Sequence, residues 1–252
     1  GVFGDKVKLI KSDYATSALL GTDGDYSKTY TATGLGSSNY KGNNFANIAA
    51  YTWNYKNNTT INSGNGSNTW STSLLNKTNL NQNFITNIGV DWANKIDTTN
   101  WKVGGNAWSN IGTQPSKTAY QNEIVKPVPG STSNGETAYS AKIGLVYISD
   151  YMYAAQQDKW TLIGFAGYDT GGEAKDYRAA TSVNWMYMGL VEWTISRISD
   201  VTSYVARVND VGSLNFDTAN GWRAVRPVFY LKSSVAYVGG SGTKDSPITL
   251  VV

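Results

Sequence analysis

The stretch Gly189-Leu-Val-Glu-Trp-Thr-Ile-Ser-Arg197 sets the reading of the whole chain. A glycine opens a run rich in β-branched and aromatic residues, the pattern of an extended strand. Neighbours on a strand point to opposite faces, so Trp193 belongs to the core and Glu192 to the other side. A covered carboxylate requires a cationic partner, and Arg223 and Arg226 are the candidates. Working outward, Ser182–Met188, Ser203–Val208 and Arg223–Leu231 read as further extended runs, as do Lys142–Ile148 and Val7–Ile10. Pro227 confines Arg226 to an extended backbone and offers no donor, which suits a strand's entry or edge.

Helical spacing comes earlier in the chain. Leu80, Phe84, Ile88, Trp92 and Ile96 recur every fourth residue and share one helix face, with Gly89 a possible break. Ser71 or Ser73 caps a short preceding helix, and Ser149-Asp150 caps one starting at Tyr151. Helices early and short strands late give an α+β fold with a twisted antiparallel sheet and long loops. Residues 1–252 are expected to form one domain, with an N-terminal extension (1–55) and a surface loop (57–68). The Gly-rich stretch 21–44 reads as loop.

Composition removes whole classes of chemistry. The 252 residues include no Cys and no His, which excludes thiol nucleophiles, zinc–thiolate sites, iron–sulfur clusters and serine triads built on histidine. Nine Trp, seventeen Tyr and six Phe identify a folded chain. The net charge of +3 is spread without basic clusters, so no nucleic-acid partner is expected. No stretch approaches the roughly 20 apolar residues of a membrane span. The first residue is Gly1 rather than Met, which points to a processed or trimmed form. Asn-x-Ser/Thr sequons at Asn57, Asn58, Asn65 and Asn76 are read as chance in so Asn-rich a chain. The Asp169-Thr-Gly-Gly-Glu173 loop with Asp176 lacks the ligand spacing of a calcium loop and reads as a solvated turn; Asp23-Gly-Asp25 is weaker still. Neither a metal nor another cofactor is expected. The only Glu residues are 123, 136, 173 and 192, and no motif pairs two carboxylates for hydrolysis.

Three ordered segments carry a resemblance: Gly189-Leu-Val-Glu-Trp-Thr194, Arg207-Val-Asn-Asp-Val-Gly-Ser-Leu214 and Gly221-Trp-Arg-Ala-Val-Arg226. Together they resemble the closing half of the C-type-lectin-like fold of formylglycine-generating-enzyme relatives and retroelement-diversified receptor proteins. Trp222 stands where that pattern has Phe, Val211 where it has Gly, and Leu214 where it has Trp. The formylglycine oxidase works through cysteines, so its activity does not carry over. Trp70-Ser-Thr-Ser-Leu74, Leu80-Asn-Gln-Asn-Phe84, Lys142–Ala154, Glu192–Arg197, Val225–Ser233 and Gly240–Pro247 are similar to an uncharacterised family of bacterial surface domains. That resemblance implies an exported adhesive or structural module at the cell surface, with no assigned reaction.

The lectin-like resemblance implies a ligand face spanning 168–187 and 197–204, with Trp185, Tyr187, Arg197 and Tyr204 as contacts. Exposed aromatics and Arg give large contact area for few rotatable bonds. Of Tyr151, Tyr153, Trp160, Trp185, Tyr187 and Tyr204, about two are expected to be exposed and the rest core. Glu192, Trp193, Trp222, Arg223 and Arg226 are expected to hold the fold. The leading expectation is a non-catalytic extracellular module binding a glycan or a surface protein. A filament or surface-array subunit that contacts copies of itself, and a carboxylate-dependent glycosidase, are the alternatives.

Overall fold

The computed structural model describes residues 2–3, 5–30, 37–43, 45–55, 64–131, 135–167, 175–243 and 245–252. At its centre lies the strand Glu192–Ile198, buried along its whole length. It belongs to a four-stranded sheet in the order Leu214–Thr218, Tyr204–Val208, Glu192–Ile198, Gly105–Asn106. The first three pair antiparallel, while Gly105–Asn106 runs parallel to its neighbour. The register slips between Val205 and Arg207, a bulge that adds local twist.

The stretch 1–55 is woven into this C-terminal half rather than appended to it. Lys6–Ile10 pairs with Val228–Tyr230, whose other edge takes Ile143–Gly144. Ala49–Thr52 lies between Trp222–Arg223 and Tyr26–Thr29, so a strand interrupts the expected 21–44 loop. Two indole N–H groups tie the halves together: Trp53 donates to the Thr194 carbonyl and Trp193 to that of Tyr51, each at 2.9 Å. Both rings are fully buried, so these bonds satisfy donors that would otherwise be costly inside the core. One continuous apolar cluster runs from Ala15 to Leu231.

Several expected elements are rearranged. Pro227 divides the Arg223–Leu231 run between two sheets. Of Lys142–Ile148 only Ile143–Gly144 pairs; the buried continuation bends into the helix Ile148–Tyr153. That helix starts before Tyr151, and the Asp150 carboxylate caps it by accepting from Tyr147 N at 3.1 Å. Ser182–Met188 is a chain of turns. The helices are therefore interleaved with strands, and the fold is a sheet-rich α+β arrangement rather than helices followed by strands. Among the described residues no helix is long and apolar enough to cross a membrane.

The every-fourth-residue stripe meets a more complicated helix. Leu75–Phe84 winds as a wide π-type helix, followed by Ile85–Asn87, a break at Gly89 (φ 85°) and Val90–Ala93. Leu80, Phe84 and Ile96 are buried, whereas Trp92 beyond the break is exposed. A buried amide, Asn79, and a half-buried one, Asn81, share this interface. Asn79 donates to the Leu20 carbonyl at 2.8 Å, and Asn81 both accepts from Ile143 N and donates to Ile143 O. The helix start is capped from far away in sequence by Asp25, which is fully buried and accepts from Leu74 N and Leu75 N. Asp25 is thus a structural cap.

The expected surface loop 57–68 is described only from Gly64 onward, and its end is core. Gly66, Ser67 and Asn68 are buried, and the Asn68 amide donates to the carbonyls of Ile198, Val201 and Tyr204. Gly189 is required where it stands. With φ at 84°, an added Cβ would fall 1.8 Å from the Asn39 carbonyl oxygen.

Candidate functional site

The buried Glu192–Arg226 pair is the anchor from which the site is built. Arg226 Nε donates to Glu192 Oε2 at 2.6 Å and Nη2 to Oε1 at 2.5 Å, with both side chains essentially inaccessible. Burial opposes charge on Arg226, but the adjacent carboxylate more than offsets it, and its pKa is raised above the ordinary value. Arg223, the other candidate partner, instead pairs with Asp217. Arg226 Nη2 also donates to the Met186 carbonyl at 2.7 Å. That bond fixes the turn carrying Trp185.

Trp185 is 67% exposed, yet both its neighbours are buried, Asn184 at 5% and Met186 at 4%. Asn184 Nδ2 donates to the Tyr151 carbonyl and Asn184 Oδ1 accepts from Met186 N. The indole is held outward by a backbone pinned on each side of it. It stands at a cleft of ≈ 280 Å³. Tyr120 and Tyr153 also line the cleft, their rings edge to face at 6.2 Å, and Trp160 packs on Tyr153 at 4.8 Å. Lys8 and Asp150 supply the cleft's charge and are joined at 2.5 Å. The Lys8 ammonium also lies 4.6 Å from the Tyr147 ring, within reach of its negative face. Leu9, Ile10, Val146 and Val228 complete an apolar floor.

Behind this wall sits Glu123, fully buried. Its Oε1 accepts from the Ser196 hydroxyl and its Oε2 from Ser149 N at 3.1 Å. No ion pair reaches it among the described residues, and burial pushes its carboxyl up to about 7, with Asp150 adding a repulsion. Ser149 lines the cleft but Glu123 does not.

The four expected contacts do not form one face. Tyr187 is buried, its hydroxyl donating to the Asp210 carbonyl and its ring under the Lys41 ammonium at 4.4 Å. Arg197 is 1% exposed and donates from Nη2 to Glu136, beneath the Gly105 backbone. Burial lowers its pKa against the opposing pull of Glu136. As placed, neither is a surface contact: Arg197 lies on a strand buried along its whole length, and the turn that carries Tyr187 directs it inward. Tyr204 is half-buried and stacks on Phe216 at 5.1 Å. Sequence reasoning missed Trp108, 50% exposed, which meets the same Phe216 edge-on at 5.8 Å. It also missed Lys8, Tyr120 and Asp150 as cleft residues.

Among the six aromatics, Trp185 alone is exposed; Tyr151 is core, and Tyr153, Trp160 and Tyr204 are half-buried. Trp193 is core, but Trp222 is only half-buried, its ring edge-on to Tyr30 and beneath the Lys28 ammonium at 3.9 Å. The Asp169–Glu173 loop and the sequons at Asn57 and Asn58 lie outside the described residues. Asp176 is buried rather than solvated, and Arg178 holds it at 2.8 Å. Burial alone would raise its pKa, but the bonds from Arg178 and Ala166 N outweigh this and lower it. Asn76 is buried and donates to the Trp70 carbonyl, which leaves no room for a glycan there. Among the described residues no group of three or more acidic side chains is arranged to hold a metal ion.

No family model, no curated protein and no solved structure matches the chain.

Proposed function

We propose that the chain is a non-catalytic recognition module of a bacterial cell surface, built on a C-type-lectin-like scaffold, with the Trp185 cleft as its ligand site. The observation that carries this reading is the posture of Trp185. Leaving a large indole in water while both neighbours are bonded into the core sacrifices apolar burial, and such a side chain is a natural binding anchor. The lectin-like scaffold is supported by adjacency of the three resembling segments. Trp193 N donates to the Ala224 carbonyl, and the turn 209–213 joins the paired strands Tyr204–Val208 and Leu214–Thr218.

The carboxylates favour binding over glycoside hydrolysis. Asp150 is neutralised by Lys8, and Glu123 is sealed behind Ser149, so they do not flank a bond in the cleft. A self-assembling subunit is the second reading, favoured by the C-terminal hairpin Ala236–Gly239 with Thr249–Val251. Tyr237, Val238, Ile248 and Val251 are all exposed there.

The test uses the fluorescently labelled protein on glycan arrays and on intact cells. Trp185→Ala should abolish binding while the Tm stays within a few degrees. Binding that survives this substitution overturns the reading. Filaments of the native protein in negative stain would favour the second.

A further inference from the structure

We propose that the cleft takes a single neutral pyranose, a terminal or branching sugar unit of a surface glycan, and discriminates against charged sugars. This rests on the cleft being the recognition site and names its ligand. Charge decides first. The cleft is lined by one cation and one anion, and Lys8 and Asp150 neutralise each other at 2.5 Å. A uronic or sialic acid would have to displace the Asp150 carboxylate from Lys8, and an amino sugar would have to displace the ammonium from Asp150. Either exchange leaves one largely buried charge without its counter-ion, which is costly. A hydroxyl does neither, since it both donates and accepts and can bridge the pair as it stands.

Shape decides next. A volume of ≈ 280 Å³ lies at the lower end for small-molecule sites, with room for a ring rather than a folded peptide segment. Trp185, Tyr120 and Tyr153 offer aromatic surfaces around it. Their ring faces are electron-rich and suit the polarised C–H face of a pyranose. The hydroxyl edge then falls toward Lys8, Asp150 and Ser149. A protein partner is the competing occupant, but it would need on the order of 1,000 Å² of contact, far more than this cleft supplies alone.

The test is an NMR titration following the Trp185 indole resonance, assigned by its loss in Trp185→Ala. Probes are the methyl glycosides of glucose, galactose, mannose, N-acetylglucosamine and N-acetylgalactosamine, set against glucuronate, N-acetylneuraminate and glucosamine. At least one neutral glycoside should bind saturably in the millimolar range, and the charged sugars at least about tenfold more weakly. Lys8→Met should shift preference toward glucosamine, and Asp150→Asn toward glucuronate. Equal or tighter binding of charged sugars to the unaltered protein overturns the proposal, as does failure of every neutral glycoside to move the resonance. In those cases, cell-surface binding that still depends on Trp185 leaves the recognition module standing with a different ligand. If that dependence is also absent, both fall.

Discussion

Glu123 offers a measurement that few folded proteins permit. The chain has no His and no Cys, so no other side chain has an ordinary pKa between about 5 and 8. Burial raises the Glu123 carboxyl from 4.5 to about 7. A group that binds its proton more tightly when folded stabilises the fold most below its unfolded pKa. That contribution is lost as pH rises from about 4.5 through about 7, and the loss is complete above. The shift corresponds to about 3 kcal/mol in total, with about 2 kcal/mol of it falling between about pH 5.5 and about pH 8.5. Glu123→Gln reproduces the protonated acid. Its amide nitrogen can donate to the Ser196 oxygen, and its carbonyl can accept from Ser149 N, the partners Glu123 has now. Urea denaturation across this range should show the unaltered protein losing stability while the Gln variant stays nearly level. The variant should match the unaltered protein near pH 4 and exceed it increasingly as the pH rises. An identical pH slope in both proteins would refute the assignment of the raised pKa to Glu123.

Three further outcomes test the placement of individual side chains. Trp193→Ala should cost about 3–5 kcal/mol, Trp222→Ala clearly less because its ring is half-exposed, and Trp185→Ala within about 0.5 kcal/mol, all by chemical denaturation. Arg226→Met strands the Glu192 carboxylate in the core and should cost about 3–5 kcal/mol. Adding Glu192→Gln should recover much of that stability, and additive losses in the double variant would count against a buried pair. Asn68→Ala leaves three carbonyl groups without their shared donor and should cost about 2–3 kcal/mol. A change below about 0.5 kcal/mol would show that water replaces the amide without penalty.

What the sequence made legible follows from what strand periodicity can encode. Enrichment in β-branched and aromatic residues identified Glu192–Ile198 and Tyr204–Val208, the first of them buried on both faces. The same reasoning failed at Ser182–Met188, where apolar residues are buried by turns that have no period. At 1–55 it found the strand at Val7–Ile10 but missed Tyr26–Thr29 and Ala49–Thr52. Nothing in Val7–Ile10 or Ala49–Thr52 announces pairing with strands some 170 to 220 residues away, because long-range register is set by three-dimensional closure and not by local pattern. Amides turned into the fold made the third blind spot. Asn68, Asn76, Asn79 and Asn81 look like surface composition, yet each bonds a backbone group inside the fold.

The candidate site was half legible for a related reason. Glu192, Arg226 and Trp185 lie within one stretch of about forty residues, and chemistry alone asks a covered Glu for a cation. Which arginine answers depends on the fold. Arg226 precedes Pro227, whose ring removes a backbone donor and lets the chain change sheets there, and this turns the guanidinium inward toward Glu192 and the Met186 carbonyl. Arg223 stays on its short strand and meets Asp217. The lectin-like resemblance put Trp185 and Tyr187 on one ligand face, so both were expected to be exposed. The turn separates them: Asn184 donating to the Tyr151 carbonyl and Arg226 to the Met186 carbonyl leave Trp185 in solvent, while Tyr187 donates to the Asp210 carbonyl from the core. The cleft itself draws on five separated parts of the chain, around Lys8, Tyr120, Asp150, Trp185 and Val228. No motif spans them. The ion pair at 192 and 226 therefore does two jobs with one set of bonds, closing the core and fixing the direction of the exposed indole. If the cleft is the recognition site proposed above, a variant that breaks the pair should lose its cell-surface binding at temperatures where the fold still stands, and full binding by such a variant would refute this coupling.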